Sequence, residues 1–406
     1  MYRTIKLLAL GSLFAGAVPL AAQQVQFEAP KPVVEEQDGV DLDVGAAFTQ
    51  TFQALDHSNV SDGTEPNTLA DIGPGFNLAS ANLYLNAMLA PGIQVVLETY
   101  LSSRHHPETW VKGGYLQMDA SPFEVETLER IMEFTSLRVG HFEVNYGDAH
   151  FRRSDNANGI RNPFAENLIL DAFTTEIGAD VTVRKGALLA VLGVTDGQIS
   201  GGVTNPDGRS LAFLGKVGVD QSLGPALRGR LTVSTYQNDN AGRATLYGGD
   251  RAGSAYWAIM DNPDGGAFTN GRVNPRFTEE IRAYQVNPFV KVGPVELFGV
   301  MEWAEGRTAQ ETEQRSVTQY AGDAVIRFLD DQLYAGGRYN TLKGELLTQD
   351  VDQTVDRFVV SGGWFVTPNV LLKAEYVNQT FDGFPVDNIL NGGEFDGLVF
   401  QGVVAF

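Results

Sequence analysis

The sequence predicts an all-β fold, a transmembrane antiparallel β-barrel of about sixteen strands. Three observations support this prediction. After residue 39, segments of roughly 9 to 14 residues alternate apolar and polar side chains with a period of two, which is typical of strands. The connections between them are short and long in turn, as in membrane barrels. No apolar run after residue 22 is long enough for a transmembrane helix, although 43% of the chain is hydrophobic.

The first 22 residues are predicted to be a cleavable secretory signal. Arg3 and Lys6 precede an apolar run over residues 7–20, and two alanines follow it at 21–22. A basic start, an apolar stretch too short to span a bilayer comfortably and a small-residue exit are typical of such a signal. The alternative is an uncleaved membrane anchor, which Gln23 disfavours because it ends the apolar run early.

Residues 23–39 form a second segment without periodicity. They include Pro30, Pro32 and the pair Glu35-Glu36, so we predict a flexible periplasmic lead-in. Residues 40–406 then make up the barrel as a single domain.

The charge and the cysteine count restrict the partners and the source of stability. The formal net charge is −21 and cysteine is absent. An acidic chain lacks the basic face that a nucleic acid requires, so no nucleic-acid partner is expected. An acidic outer surface fits loops that bind divalent cations beside lipopolysaccharide, and ordinary solubility explains it as well. Without disulfides, stability must come from backbone pairing and burial.

Period-two alternation places sixteen strands along the chain. The predicted strands are 41–55, 75–89, 92–103, 109–119, 136–146, 174–184, 187–195, 210–221, 226–236, 277–292, 294–305, 316–328, 332–344, 354–366, 369–380 and 395–406.

The connections sort onto two rims. The tight turns all join an even strand to the next odd one, which puts them on one rim, predicted to be periplasmic. They lie at 91–92, 185–186, 223–225, 293, 330–331 and 367–368. Residues 120–135 occupy a short-turn position but are predicted to form a small helix. The long connections are rich in Asn, Asp and Gly and are predicted to be extracellular: 56–74, 147–173, 237–276 and 381–394.

A soluble β-sandwich would also alternate, with its apolar face packed inward. The length and number of the strands favour the barrel, because each segment matches the roughly 9 to 11 residues that cross a bilayer at a tilt.

The last strand ends on Phe406, with Phe400 and Val404 on the same side. It resembles the C-terminal strand of outer-membrane proteins, whose terminal aromatic residue is recognised by the barrel-insertion machinery. The whole mature chain resembles the general outer-membrane porins, which implies an outer-membrane location and a homotrimer. The stretch LRVGHFEVNYGD at 137–148 loosely resembles the phosphate-selective porin family, although that family's usual lysine and proline are missing.

The segment 147–173 is too long for a passive turn and mixes basic with acidic residues. The resemblance to porins implies that it folds into the lumen and narrows it, and charges lining a constriction select ions. The alternative is an external loop whose Arg and Asp residues pair with one another. The candidate constriction residues are Arg152, Arg153, Asp155, Arg161 and Glu166.

Alternation also selects charged residues that face the lumen. Both signs are about equally represented, so the alternative is a solvated lumen without ion preference. The candidate lumen-wall residues are Arg184, Lys216, Arg228, Arg230, Arg338, Lys373 and Glu375, beside Arg327, Glu176, Asp180, Asp220, Glu296, Glu302 and Asp323.

Catalysis and metal binding have little support in the sequence. The five histidines lie beside no recognisable nucleophile or metal motif, so no enzyme and no cofactor is predicted. The group His105, His106 and Glu108 could bind a transition metal only in a loop conformation. The sequence therefore favours a passive diffusion channel for small hydrophilic solutes or ions, with a weak preference for anions. The alternative is a plugged barrel that acts as a binding or structural module.

Overall fold

The chain folds into a closed antiparallel barrel. The computed structural model describes residues 26–28, 39–60, 67–77, 79–101, 108–153, 159–200, 203, 209–249, 251–266 and 269–406. Strand β1 (Asp41–Ser58) pairs on one side with the last strand, β17 (Glu394–Ala405), and on the other with β3 (Ser80–Ala90). All other strands pair with their neighbours in sequence, so closure leaves no free sheet edge.

The described residues form sixteen long strands, one two-residue strand, one α-helix and a 3₁₀ turn. Besides β1, β3 and β17 the strands are β2 (Gly75–Phe76), β4 (Ile93–Leu101), β5 (Trp110–Met118), β6 (Thr135–Glu143), β7 (Thr175–Lys185), β8 (Leu188–Thr195), β9 (Ala212–Ser222), β10 (Leu227–Asn238), β11 (Glu280–Val292), β12 (Val295–Arg307), β13 (Arg315–Phe328), β14 (Leu333–Gly344), β15 (Gln353–Thr367) and β16 (Val370–Asp382). The helix α1 spans Glu126–Met132, and the 3₁₀ turn spans Ala149–Arg152.

The predicted fold class is confirmed, and each predicted strand coincides with an observed one. The predicted strand 75–89 is divided into β2 and β3, and Asn77, just after β2, still donates its amide to Thr51 O at 3.1 Å. Its side-chain amide donates to Ala255 O at 3.1 Å, and its carbonyl accepts from Gln50 Nε2 at 2.7 Å. The tight connections all lie on one rim, together with α1, and the long connections lie on the other.

The apolar face of the sheet points outward. On β10, Leu231 and Val233 are 46% and 45% exposed, whereas Arg230, Thr232 and Ser234 are at most 5% exposed. A soluble sandwich would bury the apolar face instead, so this inverted pattern excludes it. An apolar exterior around a polar interior is the arrangement of a barrel that faces lipid. None of the described helices is long and apolar enough to cross a bilayer.

The hydrophobic core lies inside the barrel, toward the long-loop rim. Residues from the 147–173 segment, such as Phe164 and Ile169, pack there with residues such as Tyr256 from the connection between β10 and β11. The chain turns into the lumen at Gly147, whose φ is +68° and whose missing Cβ would lie 2.0 Å from the Gln285 Oε1 atom. Only glycine combines this backbone conformation with so little space.

Candidate functional site

Residues 147–153 and 159–173 lie inside the lumen, where wall side chains bind their backbone. A backbone amide removed from water needs another partner, and inward polar side chains from several strands supply it. The amide donors and their acceptors are Asp148 to Asn287 at 2.9 Å, Ala165 to Glu375 at 2.6 Å, Ile169 to Asn340 at 2.7 Å and Leu170 to Gln319 at 2.9 Å.

The carbonyl groups of the segment are bound from the same part of the wall. The Lys373 ammonium donates to Gly159 O and Phe164 O, each at 3.0 Å. Arg338 donates to Glu166 O at 3.1 Å while it pairs with Asp323 at 2.7 Å. The predicted lumen-wall residues Arg338, Lys373 and Glu375 therefore hold this segment against the wall formed by β10 to β17.

Two of the candidate constriction residues are buried in ion pairs. Arg152 is 3% exposed, lies 3.6 Å from Asp323 Oδ2 and borders a cavity of about 20 Å³, which is room for about one water. Burial lowers the pKa of its guanidinium group. Arg153 donates to both carboxylate oxygens of Asp171, at 2.5 and 2.8 Å.

The other candidate constriction residues make different contacts, although Arg272 links Glu166 to Asp171. Arg161 is partly buried, and burial lowers the pKa of its guanidinium group. Glu166 accepts from Ser254 Oγ at 2.9 Å and Arg272 Nε at 3.0 Å, so it joins the two inner segments. Asp155 lies outside the described residues.

Four predicted lumen-wall cations gather near the short-turn rim, around Asp148 of the 147–173 segment. Arg230 donates to both Asp148 oxygens, at 2.8 and 2.9 Å, and Lys216 Nζ lies 3.0 Å from Asp148 Oδ1. Arg228 donates to Asp220 at 2.7 Å, and Arg184 completes the group. We call Arg184, Lys216, Arg228 and Arg230 the basic cluster.

Two residues of the lead-in lie in the same place. Phe27 is 4% exposed and Glu28 bonds to Arg230, so this part of residues 23–39 lies inside the lumen. The sequence gives no signal for this contact, because the segment has no periodicity and its partners are some two hundred positions away.

A cavity of about 340 Å³ extends along the opposite wall, formed by β4 to β7. Its lining extends from Glu133 and Phe134 beside α1 to His141 and Thr175 toward the other rim. Two ion pairs add charge to this wall. Lys112 lies 3.2 Å from Glu98, and Arg138 pairs with Asp180. Sequence reasoning did not select Lys112 or Arg138, although both occupy inward positions of the period-two pattern.

His150 belongs to the inner boundary of this cavity. Its ring nitrogens lie 2.6 Å from Glu143 Oε1 and 3.1 Å from Asn145 Oδ1. Burial lowers the pKa of the imidazole, against the opposing effect of Glu143. Among the described residues, no group of three histidine or acidic side chains is placed to hold a metal ion, and His105 and His106 lie outside the described residues.

The fold is similar to solved outer-membrane barrels. The anion-selective porin from Comamonas acidovorans aligns with a TM-score of 0.54 at 9% identity, covering 90% of this chain and 100% of that chain. The outer membrane channel DcaP of Acinetobacter baumannii gives 0.52 at 12%, covering 91% and 98%. The trimer form of OmpT from Vibrio cholerae gives 0.53 at 9%, covering 91% and 100%.

No protein-family model and no curated protein matches the sequence. At these identities the structural similarity establishes the fold alone. The chain therefore has the fold of the general porins, and its resemblance to the phosphate-selective family stays a prediction.

Proposed function

We propose that this protein is an outer-membrane porin, a passive diffusion channel for small hydrophilic solutes or ions with a weak preference for anions. The observation that carries the proposal is the division of the lumen. The 147–173 segment is bound to the wall of β10 to β17, and the cavity of about 340 Å³ remains along β4 to β7. Water and solutes would follow this eccentric route.

The 147–173 segment would set the size limit of the pore. We propose that it forms the constriction, with Arg152, Arg153, Asp155, Arg161 and Glu166 as its charged residues. Replacing Arg152, Arg153 and Arg161 with glutamine should move the reversal potential toward cations, since the segment would lose three positive charges while Asp323 and Asp171 would keep only Arg338 and Arg272 as cationic neighbours among the described pairs. Unchanged ion preference in a folded triple variant would remove these arginines from the selectivity mechanism.

The weak anion preference would come from the lumen wall. The basic cluster contributes four cations, and three carboxylates face them: Glu28 of the lead-in, Asp148 of the 147–173 segment and Asp220 of the wall. This local excess matters more than the net charge of the chain, because the charges that line a narrow path select the ions.

Planar-bilayer recording of the purified, folded barrel tests the channel directly. Stable open steps are expected, and the reversal potential in a salt gradient should have the sign of a weak anion preference. Absence of steps from a heat-modifiable, folded preparation would contradict the proposal and favour the plugged binding module.

The proposed setting is the outer membrane, with lipid and lipopolysaccharide around the barrel and a homotrimer as the assembly. The backbone of Phe406 pairs with Ala46 through two hydrogen bonds of 2.9 Å, and its ring is 73% exposed. We propose that this ring is the contact for the insertion machinery. Phe406→Ala should slow insertion while changing the stability of the assembled barrel little.

A further inference from the structure

The chain places a phenyl ring and a carboxylate of its own lead-in beside the basic cluster. The Phe27 ring meets the edges of Phe289 and Phe151, with ring centres 5.2 and 5.9 Å away. The guanidinium of Arg230 lies 4.3 Å from the Phe27 ring centre, and that of Arg228 lies 5.2 Å from it. Aromatic edges and cations on a ring face are the contacts that favour an aromatic guest.

The Glu28 carboxylate occupies the adjoining polar site. Its Oε1 accepts a hydrogen bond from Arg230 Nη2 at 3.0 Å, and its Oε2 forms an ion pair with Arg230 Nη1 at 2.8 Å without hydrogen-bond geometry. Lys216 Nζ lies 3.4 Å and Arg184 Nη2 3.7 Å from the same carboxylate. Arginine guanidinium groups are preferred partners of carboxylates and similar anions.

The charges of the site favour an anion there. Glu28 adds a third carboxylate to Asp148 and Asp220 beside the four cations of the basic cluster, and pairing offsets the cost of burying charge. Burial acts to raise the pKa of the Glu28 carboxyl, but Lys216 and Arg230 outweigh it and hold the pKa below its usual value.

The site is connected to the proposed solute route. Glu28, Phe151 and Arg184 all contribute to the lining of the cavity of about 340 Å³, a size within the range of small-molecule sites. A solute in this cavity would therefore meet the carboxylate site directly.

We propose that Phe27 and Glu28 occupy a binding site for small organic carboxylates that carry an apolar ring, and that such a solute displaces them. The inference rests on the proposed channel for delivery of the solute, but the site itself is defined by its own contacts. Acetate would bind only to the cations, and an uncharged aromatic alcohol would contact only the aromatic rings of Phe151 and Phe289. Because Phe27 and Glu28 compete with the solute for this site, the apparent affinity of the intact chain for the solute falls in proportion to the fraction of molecules in which the site is vacant.

The experiment measures binding in solution, without any conductance. Equilibrium dialysis of labelled hydrocinnamate against the detergent-folded mature chain is compared with Phe27→Ala/Glu28→Gln. The matched control is Phe123→Ala/Glu124→Gln, the same pair of residue types in the turn before α1, where Phe123 is 63% exposed. The Phe27→Ala/Glu28→Gln variant, called the emptied variant, should bind hydrocinnamate several-fold more tightly than the intact chain does. Its affinity for hydrocinnamate should exceed its affinity for acetate roughly tenfold or more, because the ring is buried.

Two further variants test the cations. In the Phe27→Ala/Glu28→Gln background, Arg230→Gln should strongly weaken the binding of both hydrocinnamate and acetate, and Arg184→Gln should weaken it less while leaving the Arg230–Asp148 contacts intact. Heat-modifiability establishes that each variant is folded. Equal affinity in the emptied variant and the Phe123 control, or equal binding of acetate and hydrocinnamate, would overturn the proposal. Failure of the channel would show instead as absent conductance with binding retained.

Discussion

Arg230 holds Asp148 inside the barrel through two hydrogen bonds, Nε to Oδ2 at 2.8 Å and Nη2 to Oδ1 at 2.9 Å. The carboxylate is fully buried, and Thr232 Oγ1 donates a further bond at 2.8 Å. This pair fixes the start of the 147–173 segment to strand β10. Burial acts to raise the pKa of Asp148, but Lys216 and Arg230 overcome it and hold the pKa far below its usual value.

Asp148→Asn should therefore destabilise the barrel. Removing one member of a buried ion pair leaves the other charge uncompensated, so the free energy of unfolding should fall by about 3 kcal/mol. Urea titration of the folded protein measures the change. The control is Asp239→Asn, which removes one of the two carboxylates paired with Arg282 at a site where Asp239 and Arg282 are well exposed, and its effect should be small. Equal stability of the two variants would contradict a structural role for Asp148.

Acid should release the lead-in from its site. The pKa of Glu28 is lower when docked than its usual value of about 4.3. Docking is therefore fully stabilised above that value, and the stabilisation is lost as the pH falls through the usual pKa toward the lowered one. A fluorophore attached at Gln26→Cys, in a chain without other cysteines, should become more accessible to acrylamide below about pH 4.

Glu28→Gln is the control for this titration. The variant has no carboxylate to protonate, so its probe should show high accessibility that does not change over the same pH range. A pH response of equal size in both proteins would assign the effect to another group.

Gly147→Ala should disturb the entry of the 147–173 segment into the lumen. The new methyl group would meet the Gln285 side chain, and the backbone there has φ +68°. The control Gly186→Ala has φ +61° and open space around the site, so it should cost only the backbone strain of about 1 kcal/mol. The clash at Gly147 should add roughly 1 to 3 kcal/mol and broaden the distribution of single-channel conductances. Equal effects of the two variants would show that Gln285 adjusts freely.

Arg184→Gln should move the reversal potential toward cations. The side chain is 30% exposed, lines the cavity and belongs to the basic cluster, so its charge acts on ions in the proposed route. Arg130→Gln, on the exposed helix α1, makes the same chemical change outside the cavity and should leave the potential unchanged. Equal shifts in both variants would place the selectivity outside the lumen.

The strands and their faces could be predicted because alternation is local. Leu231 and Arg230 differ in polarity at adjacent positions, and a sheet must turn adjacent side chains to opposite faces. The division between β2 and β3 could not be predicted from this alternation, since Asn77 beside it binds residues 50 and 255 as well as the backbone of Thr51. Local pattern therefore located the wall but not the interruptions that the inner segments impose.

The charged site was predictable in composition but not in pairing. The sequence selected Arg338 and Lys373 as lumen-facing cations, yet their bonds to Glu166 O and Phe164 O depend on contacts between residues about two hundred positions apart. Glu28 is a stronger example, because nothing in its own segment distinguishes it from neighbouring acidic residues. Which charges remain available to solutes is decided by such long-range pairing.

The bonds between the 147–173 segment and the wall also constrain the order of assembly. Ala165 N donates to Glu375 Oε2 at 2.6 Å across 210 positions of sequence, so its acceptor is in place only after β16 has paired. Closing so long a loop carries a large entropic cost when the segment acts alone. Completed strand pairing lowers that cost, so the inner segment becomes ordered last. A barrel whose strands were not yet all paired would have a wider and less selective interior.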